Sequence, residues 1–346
     1  MNFVDFAGFL DTLIRTVKPD STEDLASLAS KNIFRTHVNR QMKTRLQDLF
    51  AQGDLKPWAM DYVDSLADSQ ISIETDELYD TMSDSNREHF YIFDIDGTLK
   101  ENELNCLTHA VPNLTQQVRD DLIALNNRPN THVLILTARA IDEIKESNIP
   151  YQEIPVITGH GREMIHGDRH EILFGEDLIP GTQKFVDQLD ALMDNLGISK
   201  DQYLIRHYSG QAYLQFNENC FAATKTKVMK AMQVLMNNTP CGWSISDQGS
   251  RYIFFVNEGP EYDKGMAVKK IVEDYTDKIT AKTNIYVLGD TGSDYKAMEA
   301  MKTVDLPSGA RSINIAIGDE LAGQPAVDVE RSSYHVVAEL LNRLAT

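Results

Sequence analysis

Cysteine is nearly missing from this chain: its three residues, Cys106, Cys220 and Cys241, form an odd and scattered set. They have neither the pairing density of a disulfide framework nor the ligand spacing of a zinc site, so a reducing, cytoplasmic setting is the expectation. Long apolar runs are also missing. No stretch approaches membrane-spanning length, and the opening "MNFVDFAGFLDTLIRTVK" is interrupted by Asp5 and Asp11 without a basic start, which reads as neither signal peptide nor anchor. Positive charge is in deficit as well. With 33 basic against 52 acidic residues the formal net charge is -19, which opposes nucleic acid and anionic membrane as partners, and no basic patch offsets it. A metal cation is the more natural charged companion.

What is present is enough for real cores. The 346 residues, 42% of them hydrophobic, exceed what one compact core usually holds and suggest about two domains. From Phe3 to Phe50 apolar residues recur at helical spacing, giving two or three amphipathic helices. The acidic, serine-rich stretch near 70–88 reads as a linker. Residues 1–87 are thus expected to be a helical N-terminal segment with its linker.

Beyond it, short β-rich runs alternate with helical stretches, the signature of an α/β fold: a Rossmann-like parallel sheet with helices on both faces. Strands are expected at 91–95, 132–138, 155–159, 284–290 and 312–318, and near-continuous apolar character makes them central. Helices are expected at 113–126, 140–147, 264–277, 293–302 and 332–344. Between 163 and 256 the texture turns to hairpins and two helices, an inserted α+β cap. The parallel-sheet core then comprises 88–162 and 257–346.

The stretch "FYIFDIDGTLKENE" ends an apolar run on two crowded aspartates, Asp94 and Asp96. The run "HVLILTA" ends in Thr137, Ala138 and Arg139; Lys264 opens a helix; "NIYVLGDTGSD" ends in Asp290 and Asp294. Ligands of open parallel sheets bind outside the carboxyl ends of the strands, where such residues would meet. Converging carboxylates repel unless a divalent cation sits among them, and Mg2+ suits hard oxygen ligands and phosphate alike. A carboxylate in line with phosphorus can then attack it, which makes Asp94 the candidate nucleophile. Asp96, two residues on, is the candidate general acid and base. Thr137, Lys264 and backbone amides after Asp94 are the candidate phosphate contacts. Arg139 reads equally as a phosphate contact or as a structural ion pair.

"FDIDGTL", "LILTAR", the Lys264-Gly265 helix start and "LGDTGSD", in this order, resemble the four motifs of the haloacid dehalogenase-like phosphatase superfamily over about residues 88–346. An insertion between the second and third motifs is similar to the C2-capped (type IIB) subgroup of sugar phosphatases, with trehalose-6-phosphate phosphatase-like proteins nearest. The resemblance implies a Mg2+-dependent phosphatase acting on a small phosphorylated sugar or polyol. It implies catalytic roles for Asp94, Asp96, Thr137 and Lys264. It gives Asp94, Asp96 (through its backbone carbonyl), Asp290 and Asp294 to the metal site. Gly97, Thr98, Ala138 and Arg139 flank these groups as substrate-binding positions, and "ITGHGREMI" adds His160, Gly161 and Glu163 at the cap entrance. Thr291, Tyr295, Ser209, Val256 and Glu258 depart from the trehalose-phosphatase pattern. The alternative reading is a phosphoacceptor or a catalytically silent regulatory module on the same fold. Receivers lack an acid two residues after the phosphorylated aspartate, so Asp96 tells against the first.

Overall fold

The structure is a computed structural model that describes residues 71–101, 112–208, 211–216, 227–235, 243–247, 252–257 and 262–346. The helical stripes expected between Phe3 and Phe50 lie outside these residues. Two compact units divide the chain, Met1–Glu77 and Leu78–Thr346.

The described chain begins with α1 (71–82) and β1 (Glu88–Phe93), followed by α2 (Gln116–Asn126), β2 (Thr131–Leu136), α3 (Ile141–Glu146) and β3 (Val156–Thr158). Next come β4 (Glu163–His166), β5 (Arg169–Ile172), α4 (Ile179–Asn195), β6 (Tyr203–Tyr208), β7 (Gln211–Phe216), α5 (227–235), β8 (Trp243–Asp247) and β9 (Tyr252–Asn257). The order continues with α6 (Lys264–Asp274), β10 (Thr283–Gly289), α7 (Gly292–Thr303), β11 (Arg311–Ile317), β12 (Val329–Arg331) and α8 (Tyr334–Ala345). Among the described residues no helix is long and apolar enough to cross a membrane.

An eight-stranded sheet runs in the order β12-β11-β10-β1-β2-β3-β4-β5. The strands from β12 to β3 are parallel, and β4 and β5 add an antiparallel hairpin at the edge. Period-2 alternation sends successive side chains to opposite faces. On one face Phe90, Ile92, Leu134, Leu136, Ile285 and Val287 pack against Ala267, Val268 and Ile271 of α6 and Met298 and Met301 of α7. The other parity, Tyr91, Phe93, Val133, Ile135 and Leu288, is equally buried. There α2 and α8 pack on one another and bury Leu122, Leu125, Val337, Leu340 and Leu341. Each such side chain contributes roughly 1.5 to 3 kcal/mol by leaving water.

All five expected strands are present. Each ends one or two residues before the expected limit, so that Asp94, Thr137 and Asp290 stand just past the strands.

Three features differ from expectation. The stretch 71–82, read as linker, is helical, with Leu78 and Met82 buried. The tyrosines Tyr91 and Tyr286 tie its end down, donating from their hydroxyls to the Met82 and Thr81 carbonyls at 2.9 and 3.1 Å. Residues 163–172, grouped by sequence with the insertion, belong to the first sheet. The reason is the tight turn at 159–161, which returns the chain antiparallel to β3 with Thr158 opposite Glu163. The short strand β12 was not foreseen; at three residues it carries too little pattern to be read.

A second, antiparallel sheet has the order β6-β7-β9-β8. It is built on the hairpins expected there. Phe185, Leu189 and Met193, one turn apart along α4, bury against Ala212, Leu214 and Phe216 of β7 and Val228 and Met232 of α5.

Candidate active site

Strand β1 lies between β10 and β2, with Phe93 opposite Leu288 on one side and Ile135 on the other. That register brings the chain just after β1 level with the ends of both neighbours. Asp94 continues the ladder for one more bond, its N–H donating to the Leu288 carbonyl at 3.0 Å. The chain then turns sharply: the amides of Leu99 and Lys100 donate to the Ile95 carbonyl at 2.9 and 3.1 Å. Gly97 allows this turn with φ of +83°, a region that side chains other than glycine rarely adopt. A Cβ there would stand 1.8 Å from Oδ2 of Asp290. The glycine therefore does two things, closing the turn and admitting the carboxylate from β10.

From β10 the chain passes directly into α7. Asp294 accepts through Oδ2 from the Asp290 and Thr291 amides at 3.2 and 3.0 Å and from the Thr291 hydroxyl at 3.0 Å, capping the helix. Its other oxygen accepts from Lys264 Nζ at 2.6 Å. Lys264, first residue of α6, also donates to Asp94 Oδ1 at 2.6 Å. Asp263 caps that helix, its carboxylate accepting from the Met266 amide at 3.0 Å. Lys264, Asp94 and Asp294 are all buried.

Asp94, Asp290 and Asp294 each bring one carboxylate oxygen within 4.8 Å of the others. Burial pushes the Asp94 carboxyl well above its ordinary range, and the charge of Asp294 adds to this more than Lys264 subtracts. Burial alone would lower the Lys264 ammonium, but the carboxylates of Asp294 and Asp94 outweigh it and hold it above its ordinary value. Three hard oxygen donors gathered at one strand end are a set able to hold a divalent cation such as Mg2+. Asp94, Asp290 and Asp294 are the residues that would do so.

Asp96 points to a different partner. Arg139 donates from Nε to Asp96 Oδ2 and from Nη2 to Oδ1, both at 2.8 Å, a two-pronged fork. Its Nη1 donates to Glu143 Oε1 at 3.1 Å, and Glu143 Oε2 accepts from the Ala140 amide at 2.9 Å. Lys100 stands 3.8 Å from Asp96. Neither Glu143 nor Lys100 was singled out from sequence. Glu143 carries a usable signal, an acid in the first turn of a helix.

Thr137 is buried, and its Oγ1 accepts from the Arg139 amide at 3.2 Å. The loop holding it is stitched to the next strand end, with the His160 amide donating to the Thr137 carbonyl at 3.1 Å and the Gly159 amide to that of Arg139 at 2.8 Å. Ala138 in this loop is half-buried, whereas Thr98 is fully buried in the turn after β1. His160 is half-buried in a left-handed conformation, φ 57°. Burial, then the cations Lys264 and Arg162, push its imidazole down to about 4. Gly161 lies so close to α6 that a Cβ would stand 2.6 Å from the Ala267 methyl. Glu163 is buried in β4, its carboxylate 3.1 Å from His170 Nε2. Arg162 between them, also unforeseen, is buried with its guanidinium 5.1 Å above the Tyr262 ring.

The fold is similar to that of solved trehalose-6-phosphate phosphatases. The C-terminal domain of a C. albicans trehalose-6-phosphate phosphatase matches with a TM-score of 0.54 and 14% identity, covering 78% of this chain and 96% of that one. A trehalose-6-phosphate phosphatase related protein matches with a TM-score of 0.50 and 16% identity, covering 74% and 96%. At such identities the likeness concerns the fold. No family model and no curated protein matches the sequence.

Proposed function

We propose that the protein is a Mg2+-dependent phosphatase that hydrolyses the monoester of a small phosphorylated sugar or polyol through a phospho-Asp94 intermediate. The observation that carries this reading is the convergence of Asp94, Asp290 and Asp294 within 4.8 Å, with Lys264 between two of them. The sugar end of the proposal rests on the fold shared with a trehalose-6-phosphate phosphatase and on His160, Gly161 and Glu163 as substrate-side residues.

In the first half-reaction the Asp94 oxygen not held by Lys264 attacks phosphorus while the bond to the ester oxygen breaks. Asp96 passes its proton to that departing oxygen, so the leaving group is an alcohol and Asp96 a carboxylate. In the second, Asp96 takes a proton from water as the water oxygen attacks phosphorus. The acyl-phosphate bond to Asp94 breaks, Asp94 regains its carboxylate and inorganic phosphate leaves. Lys264 and the Thr137 hydroxyl hold the phosphoryl oxygens throughout. Mg2+, held by Asp94, Asp290, Asp294 and the Asp96 carbonyl, would offset the negative charge that otherwise opposes attack on an anionic ester.

Asp94→Asn is expected to abolish phosphate release with the fold intact by circular dichroism; full activity in that variant rejects the phosphoenzyme. Excess chelator is expected to stop turnover, with recovery on adding Mg2+, and undiminished turnover rejects the metal. A phosphate-release screen over trehalose 6-phosphate, sucrose 6-phosphate and glucosylglycerol phosphate tests the substrate class.

A further inference from the structure

Arg139 has two sequence readings, phosphate contact or structural ion pair, and its geometry is that of an ion pair. All three guanidinium nitrogens are engaged by carboxylates: Nε and Nη2 by Asp96 at 2.8 Å each, Nη1 by Glu143 at 3.1 Å. A substrate phosphate would have to displace one of them. Nor is this a surface ion pair of little consequence, because its parts are largely covered. The Arg139 side chain is 18% exposed, that of Asp96 22% and that of Glu143 7%. Glu143 is itself fixed through the Ala140 amide at 2.9 Å, and the Arg139 amide is fixed on Thr137 Oγ1 at 3.2 Å. The result is a rigid brace running from the start of α3 through Arg139 to Asp96.

We infer that Arg139, backed by Glu143, is a positioning residue that fixes the plane and rotamer of the Asp96 carboxyl for proton delivery to the leaving group. This inference rests on the proposed role of Asp96. A fork of two parallel N–H···O bonds sets a carboxyl plane in a way that one point charge cannot. It uses one lone pair on each oxygen, and a carboxylate has about four such sites, so room remains for the transferable proton. The chemistry served is one step: as the P–O ester bond breaks, the O–H proton of Asp96 moves to the ester oxygen, which keeps the bonding pair and leaves as an alcohol. Lys100, 3.8 Å from Asp96, adds a second cation beyond hydrogen-bond distance of it.

A proton donor matters more the poorer the leaving group, and that dependence separates alignment of Asp96 from general loss of structure. The experiment measures kcat/KM of the full chain with Mg2+ for p-nitrophenyl phosphate and phenyl phosphate, in wild type and in Arg139→Met, Arg139→Lys and Glu143→Gln. The expected result is that Arg139→Met lowers the phenyl ester about tenfold more than the nitrophenyl ester. Arg139→Lys should show nearly the same selective loss, since an ammonium cannot form the fork, and Glu143→Gln a smaller loss of the same kind, about threefold. Equal losses on both esters, or no loss on either, overturn the inference. Should Arg139→Met fail to fold, the ratio in Arg139→Lys and Glu143→Gln decides. Asp94→Asn and Asp96→Asn are run alongside. Activity in Asp94→Asn rejects the phosphoenzyme itself, whereas a dead Asp94→Asn and a leaving-group-selective Asp96→Asn, with both esters equally affected in the Arg139 variants, reject only the brace.

Discussion

At the scale of single residues the site is a problem of unlike charges kept apart from water. Lys264 compensates Asp94 and Asp294, and burial first, then that same ammonium, pushes the imidazole of its neighbour His160 down. The sign of the resulting pH dependence is fixed. A histidine whose folded value is pushed down to about 4 from 6.5 binds fewer protons folded than unfolded between those limits. Its contribution to stability is complete above about pH 6.5 and is lost as pH falls toward 4. His160→Asn keeps a residue that tolerates positive φ and removes the imidazole. Its stability should decline less steeply than wild type across that window, by about 1 to 3 kcal/mol, as read from urea midpoints at pH 7 and pH 4.5. Parallel declines would show that His160 does not titrate there. Residues at this scale were legible where the signal is local. Asp94 and Asp96 announce themselves by crowding, whereas Lys264 is an ordinary helix-start lysine that only its place in the order of the motifs promotes. The Asp96–Arg139 fork was not legible, because its partners lie 43 positions apart and arginine pairs with any carboxylate the fold supplies.

At the scale of elements, long apolar runs were readable and short or acidic ones were not. β1, β2, β10 and β11 are runs of six or seven residues buried on both faces, a pattern with few alternatives. The helix over 71–82 was hidden by its acids, although Ile71, Thr75, Leu78 and Met82 carry helical spacing. The hairpin of β4 and β5 was recognisable as a hairpin, but nothing local states which sheet it joins. Element α1 offers a direct test. Met82 is 1% exposed, and the Tyr91 hydroxyl holds its carbonyl. Met82→Ala should cost about 2 to 5 kcal/mol, measured by chemical denaturation, and a loss under about 0.5 kcal/mol would mean that this helix end is peripheral to the fold.

At the scale of the whole molecule the net charge of -19 is a field as well as a composition. It draws cations toward a site already built from carboxylates, and salt screens that attraction over about 10 Å at 0.1 M. On the proposed function, the Mg2+ concentration giving half-maximal phosphate release should therefore rise severalfold between about 0.02 and 0.2 M KCl, and independence of salt would confine the attraction to the site itself.

The most distant consequence belongs to the union of Lys264 with Asp94 and Asp294, across 170 and 30 positions of chain. A polypeptide leaving the ribosome exposes Asp94 long before its partners exist. Until α6, β10 and α7 have emerged and docked, the growing chain carries an aspartate with no centre around it. The ion-paired centre closes only after the last of these elements has been made.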